Sequence, residues 1–265
     1  MPKLDVNGTS LYYEDTGPGS SGETIAFMHG LLWSTEMFAP QIAALRARYR
    51  CIAWDHRGQG QSGSDHRKCI GMELVWQDAV ALLDKLATGP VHLVGLSMGG
   101  FVAMRIAARR PDLVRKLVLL ETSADPEPME NVGRYRMLTA VSRVIGMRAL
   151  ESRVGPIMLG ATILKDASRK DDVKRFQRIM TGRRDIWRAV HGVVDRAGCY
   201  DELSRIRAHT LVLVGDEDVA TPRPKAERIA AAIAGSELLG VFRAGHSSPV
   251  EEPEQVSGAI ARFLQ

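Results

Sequence analysis

Six short apolar runs, separated by segments whose apolar residues return every three or four positions, restrict this chain more than any other feature. The runs are TIAFM (24–28), RCIAWD (50–55), VHLVGL (91–96), KLVLLE (116–121), TLVLVG (210–215) and LLGVF (238–242), and MELVWQDAVALLDKLA (72–87) is a typical intervening segment. Parallel strands need a long crossover to bring the chain back to the same edge, and a helix supplies it. The alternation therefore predicts a mostly parallel sheet covered by helices on both faces. At the start, VNGTSLYYE sets Asn7-Gly8 between two alternating runs. That dipeptide suits a tight hairpin, so the chain should open with antiparallel strands.

One interval breaks the alternation. From Asp125 to Cys199 only helical patterns occur, such as ENVGRYRMLTAVSRVIGM and DDVKRFQRIM, after a linker SADPEPME. The expected organisation is a core of residues 1–124 and 200–265 with a helical insertion of 125–199. The insertion carries about six more Lys and Arg than Asp and Glu. A solvated helical surface accounts for this; a field favouring anionic substrates is the sharper reading.

A length of 265 residues suits one large α/β domain with such an insertion. The net charge of +4 is spread along the chain among acidic residues, which argues against a nucleic-acid partner. No run approaches the roughly 18 apolar residues of a membrane span, and MPKLDVNGTS lacks the layout of a signal peptide. A cytoplasmic protein without membrane association is expected. Cys51, Cys69 and Cys199 are spaced for neither zinc nor a disulfide framework and read as reduced thiols partly filling the core.

The run VHLVGL leads directly into Gly95-Leu96-Ser97-Met98-Gly99, and a helical pattern, MGGFVAMRIAARR, follows. A serine on so tight a strand-to-helix turn sits in a strained backbone with neighbours that lack side chains, and its hydroxyl is lifted clear of the sheet. A hydroxyl is a poor nucleophile near neutral pH. It needs a base within hydrogen-bond reach and a third group to orient that base. RAGHSSPVEEPE places His246 in a loop between the last strand and the last helix, a setting that His56, His66, His92, His191 and His209 lack. GDEDVATP offers Asp216, Glu217 and Asp218 for the orienting acid. Asp218 is favoured, since Asp216 follows Gly215 and suits a turn; Glu121 is a distant third choice. In FMHGLLW, Gly30 lets the backbone turn, so Leu31 N–H with Met98 N–H can form an oxyanion hole, and His29 reads as a loop anchor. DHRGQGQS (55–62) lacks the Gly-Lys-Ser/Thr ending of a phosphate loop and reads as a tight turn beside the pocket. Trp33, Met98, Met129, Met137, Met158 and Trp187 are candidates to line an apolar pocket.

With HGL, DHRGQGQS, GLSMGG, GDEDVATP and GHSSPVEEPE in this order, the chain resembles the α/β-hydrolase family over nearly its whole length. The resemblance implies a mostly parallel eight-stranded sheet flanked by helices, with a helical cap inserted after the sixth strand. It maps nucleophile, acid and base onto Ser97, Asp218 and His246. GLSMGG, GDEDVATP and the short cap look most like the 3-oxoadipate enol-lactonase and small carboxylesterase branch. A serine at position 97 argues against the dehalogenase and epoxide-hydrolase branches, whose nucleophile is an aspartate. The expected activity is hydrolysis of a small-molecule ester or lactone through an acyl-enzyme, with no metal or organic cofactor. Two other readings keep the same triad: carbon–carbon bond hydrolysis of a diketone-like substrate, and a slow-turnover small-molecule receptor. Association into a homo-oligomer is compatible with the chain.

Overall fold

The computed structural model describes residues 2–86, 88–183 and 185–265. Eight strands form one sheet: β1 (Lys3–Val6), β2 (Thr9–Asp15), β3 (Thr24–Met28), β4 (Arg50–Trp54), β5 (Val91–Leu96), β6 (Val114–Leu120), β7 (His209–Gly215) and β8 (Glu237–Val241). Their order is β1-β2-β4-β3-β5-β6-β7-β8. The first two pairings, β1 with β2 and β2 with β4, are antiparallel; the others are parallel. The opening hairpin turns at Asn7 and Gly8, both with positive φ (45° and 75°).

The helices are α1 (Ala39–Leu45), α2 (Met72–Lys85), α3 (Met98–Arg109), α4 (Met129–Ile145), α5 (Glu151–Met158), α6 (Ala161–Lys165), α7 (Lys170–Met180), α8 (Trp187–Val194), α9 (Arg223–Ala232), α10 (Ser248–Glu251) and α11 (Pro253–Leu264). Strand pleating divides the core. On β5, Val91 and Leu93 face one side with α2, α3 and α9, whereas Val94 and Leu96 face the other with α1 and α11. Helices α4 to α8 fill the interval between β6 and β7 as a helical cap, with no strand there among the described residues. The strands expected from residues 116 and 210 begin slightly earlier, at Val114 and His209. Cys51 and Cys199 are buried as expected, but Cys69 is exposed on the loop before α2 and fills no core. No helix among the described residues is long and apolar enough to cross a membrane.

A buried ion cluster ties the turn 55–62 to the sheet edge. Arg57 donates to Asp78 through Nε and Nη2 (both 2.7 Å), to Asp65 through Nη1 (2.8 Å) and to the Asn7 carbonyl (3.0 Å). The hairpin, the turn and α2 thus share one cation, which is satisfied on every side and so tolerated in the interior.

The strand order reverses between β3 and β5, and open α/β sheets hold their ligands beyond the carboxyl ends at such a point. Close packing there requires glycine. A Cβ on Gly99, in the first turn of α3, would stand 2.1 Å from the Met28 carbonyl oxygen at the end of β3. Because the obstacle is backbone, Gly99→Ala should lower unfolding stability by about 2–3 kcal/mol in urea titration. Gly133, on the outer face of α4, has nothing within 4 Å of its would-be Cβ. Gly133→Ala should raise stability by about 0.5–1 kcal/mol. Similar effects from the two changes would contradict this packing.

Candidate active site

Ser97 joins β5 to α3 with φ 51° and ψ −112°, a conformation that side-chain-bearing residues rarely adopt. Three contacts hold it: Ser97 N–H donates to the Leu120 carbonyl (2.9 Å), its own carbonyl accepts from Phe101 N–H (3.0 Å), and also from the Thr122 hydroxyl (2.8 Å). Leu32 (72°) and Glu121 (38°), beyond the ends of β3 and β6, also have positive φ, so strain gathers at one end of the sheet.

His246 follows β8 and Asp218 follows β7. His246 Nε2 lies 2.9 Å from Ser97 Oγ, and Nδ1 lies 3.1 Å from both carboxylate oxygens of Asp218. With Nδ1–H donating to Asp218, Nε2 is free to accept from the serine hydroxyl. Ala220 N–H (2.8 Å), Thr221 N–H (3.1 Å) and the Thr221 hydroxyl (2.7 Å) also donate to Asp218. Burial pushes this carboxyl up, but the imidazole and these donors prevail and hold it below the ordinary value. For His246, burial lowers the pKa, but the charge and hydrogen bond of Asp218 outweigh it and raise the imidazole above its ordinary 6.5.

The three acids of GDEDVATP separate cleanly. Asp216 is exposed, Asp218 turns inward to His246, and Glu217 accepts from Thr162 N–H (2.8 Å) and from the Thr162 hydroxyl, in the first turn of α6. Glu121 is fully buried and accepts from Gly215 N–H (3.1 Å). Burial, reinforced by the charge of Asp218, drives its carboxyl well above the carboxylate range. His29 donates through Nδ1 to the Gly30 carbonyl (2.7 Å) and accepts from His56 N–H at Nε2 (3.0 Å). Burial lowers its pKa to about 4, so it is a neutral anchor for the loop.

Leu31 and Met98 N–H both lie at this end of the sheet, and neither bonds an acceptor among the described residues. Met98 opens α3, where the first N–H groups have no intrahelical partner. Gln59, which carried no assignment in sequence, bridges the two segments: its Oε1 accepts from Leu32 N–H (3.1 Å) and its Nε2 donates to Met98 Sδ (3.4 Å). Glu251 was equally silent. Its buried carboxylate accepts from Gly245 N–H (3.0 Å) and Ser247 N–H (2.9 Å), on either side of His246, and from Gly160 N–H of the cap (2.8 Å). The only sequence signal for it was its place in GHSSPVEEPE.

A cavity of about 160 Å³ opens over Ser97 and His246, with walls mostly from Leu31, Phe101 and apolar residues of the cap. Met158 lines it as expected. The other five expected contacts do not. Trp33 is buried against Phe176 of α7 and donates to the Ser247 hydroxyl (3.2 Å), so it supports the His246 loop from behind. Met129 and Met137 lie on the outer face of α4, 81% and 61% exposed, because the helix turns Leu138, Thr139 and Ser142 inward instead. Trp187 is partly buried between the guanidinium groups of Arg143 and Arg188, both 4.4 Å from its ring centre. Met98 is wholly buried in the core and contributes no cavity wall.

Residues 25–259 match the sequence profile of the alpha/beta hydrolase family. A relative from Variovorax paradoxus, provisionally assigned as carbamate hydrolase RutD, is 30% identical, the alignment covering 96% of each chain. Among solved structures, a thermophilic esterase from Thermogutta terrifontis superposes with a TM-score of 0.90 at 27% identity, covering 100% of this chain and 98% of that one. An enol-lactonase from Burkholderia xenovorans LB400 gives 0.90 at 26% identity, covering 99% of both. Fold, site placement and sequence agree, and the chain belongs to the alpha/beta hydrolase family.

Proposed function

We propose that this protein is a serine hydrolase that cleaves a small-molecule carboxylic ester or lactone through an acyl-enzyme. The observation that carries this is the unbroken hydrogen-bonded series from Ser97 Oγ to His246 to Asp218 at the mouth of an apolar cavity. His246 takes the hydroxyl proton as Ser97 attacks the carbonyl, and the oxyanion forms against Leu31 and Met98 N–H at the positive end of α3. His246 then protonates the leaving alcohol, and water releases the acyl group by the same steps. A carbamate carbonyl fits the same sequence of events, and the relative provisionally assigned as a carbamate hydrolase supports including it among the trial substrates.

On this reading, residues 1–124 and 200–265 form the catalytic core and 125–199 the substrate-selecting cap. A cytoplasmic location is part of the same proposal, and there Cys51, Cys69 and Cys199 would remain free thiols.

Ser97→Ala should lower kcat on a nitrophenyl ester by a factor of about a million and abolish labelling by a fluorophosphonate, with thermal unfolding little changed. Near-normal turnover in that variant would remove Ser97 from the mechanism. The base must be neutral to accept the serine proton, and its raised pKa places the transition above 6.5. Accordingly, kcat/KM should climb with pH along a single-proton limb whose midpoint exceeds that of a free imidazole. A flat profile between about pH 5 and 8 would count against His246 as the base.

A further inference from the structure

Two cations, Arg196 and Lys225, stand in the wall of the largely apolar Ser97 cavity. Arg196, just after α8, is 8% exposed and lines the cavity. Its Nε donates to the Asp125 carbonyl (3.2 Å), and Nη1 donates to Glu127 Oε2 and to the Val193 carbonyl (both 2.8 Å). Nη2 bonds no acceptor among the described residues and is not sealed in the interior, and Arg196 forms part of the cavity wall. Buried guanidinium groups normally use their donors. An unused donor edge at this depth marks a place for an acceptor atom of a ligand.

Its location bears on the reaction. The Arg196 guanidinium lies 4.3 Å from the ring centre of Phe101, and Phe101 N–H donates to the Ser97 carbonyl. Arg196 thus packs on the side chain that stands one turn along α3 from the serine. Both residues line the same cavity, so a molecule whose carbonyl sits at Ser97 can present further atoms to Arg196.

Charge decides which acceptor suits. Glu127 already pairs with Arg196, and Lys225, the other cation in the wall, is held by Asp125 (2.8 Å). A substrate carboxylate would add a second anion beside Glu127 in a cavity with apolar walls, at a large desolvation cost. A neutral carbonyl oxygen accepts the hydrogen bond and adds no charge. We propose that Arg196 is a specificity-determining residue that binds a second, neutral carbonyl oxygen, keto or amide, on the ester or lactone substrate. The inference rests on the hydrolase reading above.

Matched substrates test it on both sides of the scissile bond: nitrophenyl valerate against nitrophenyl levulinate, and butyl acetate against oxobutyl acetate. The nitrophenyl monoester of adipic acid reports on anions. The wild type should prefer the keto member in at least one pair, and Arg196→Met should lower that kcat/KM ratio about tenfold or more. Glu127→Gln frees the positive charge and should raise the ratio of the adipate monoester to the valerate. Equal losses on both members of each pair in Arg196→Met overturn the proposal. If that variant does not fold, an unchanged adipate-to-valerate ratio in Glu127→Gln overturns it alone. Fluorophosphonate labelling of Ser97 separates the two levels: a labelled serine with unchanged ratios removes only the role of Arg196. No labelling and no ester turnover remove the hydrolase reading, and this inference with it.

Discussion

The first turn of α3 rests directly on the carboxyl end of β3, backbone against backbone, at the point where the strand order reverses. Gly99 makes this possible, because any Cβ there would penetrate the Met28 carbonyl. With α3 held so close, the link from β5 has no room for an ordinary connection, and Ser97 is left at φ 51°. The same closeness brings the loop 29–32 beside the helix N-terminus, which is why the free N–H groups of Leu31 and Met98 share one end of the sheet. The remaining groups arrive on the loops after β6, β7 and β8, so parallel strands deliver Glu121, Asp218 and His246 to that end without further design.

Three carboxyl groups lie buried beneath the imidazole, and their differing states show what holds a charge in this interior. Glu251 accepts three backbone N–H groups, yet burial still leaves its carboxyl above the ordinary value. Glu121 has one N–H donor and rises well beyond the carboxylate range. Asp218 accepts two N–H groups and a hydroxyl, and in addition faces the imidazole; it alone is lowered. Backbone dipoles therefore do not suffice here. A partner able to carry positive charge decides which carboxyl is held below its ordinary value, and only Asp218 has one in contact. This is also why the proposed orienting role falls to Asp218 and not to Glu121, close to it in space.

The strands and the central serine were readable because their signals are local: six apolar runs, and a serine between glycines at a strand-to-helix junction. Asp216 could be set aside on turn chemistry, but nothing local set Glu217 aside, because the contact that occupies it, with Thr162 of the cap, is long-range. Pocket-lining residues were the poorest expectation, for a related reason. Hydrophobicity says that Met129 and Met137 are apolar but not which way α4 rotates, and the short polar residues Thr139 and Ser142, rather than those methionines, turn to the cavity. Trp33 has the size of a pocket residue, but its indole N–H finds Ser247 and its ring finds Phe176. Gln59 and Arg196 act through partners tens of residues away, as does Glu251 where it holds Gly160, and no pattern along the chain announces these contacts.

The cap is fastened to the core unevenly, and the distribution follows the loop that carries His246. Near α6, Glu217 holds Thr162, Glu251 holds Gly160, and the Ser247 hydroxyl donates to the Met158 carbonyl (2.7 Å). Arg169 and Arg183 add bonds from the cap to core carbonyls of Val250, Glu251, Gly60 and Ser62. Displacing this end would loosen the segment 245–251 that carries His246. By contrast α4 makes no hydrogen bond to the core among the described residues; its polar contacts are with Glu127, Asp195 and its own turns. Parting α4 from the core therefore costs apolar contact but no hydrogen bond to the core among the described residues, and none of the bonds that hold the segment 245–251 involves α4. Hydrogen bonds thus fasten the roof over Ser97 least along α4 and most beside the segment that carries His246.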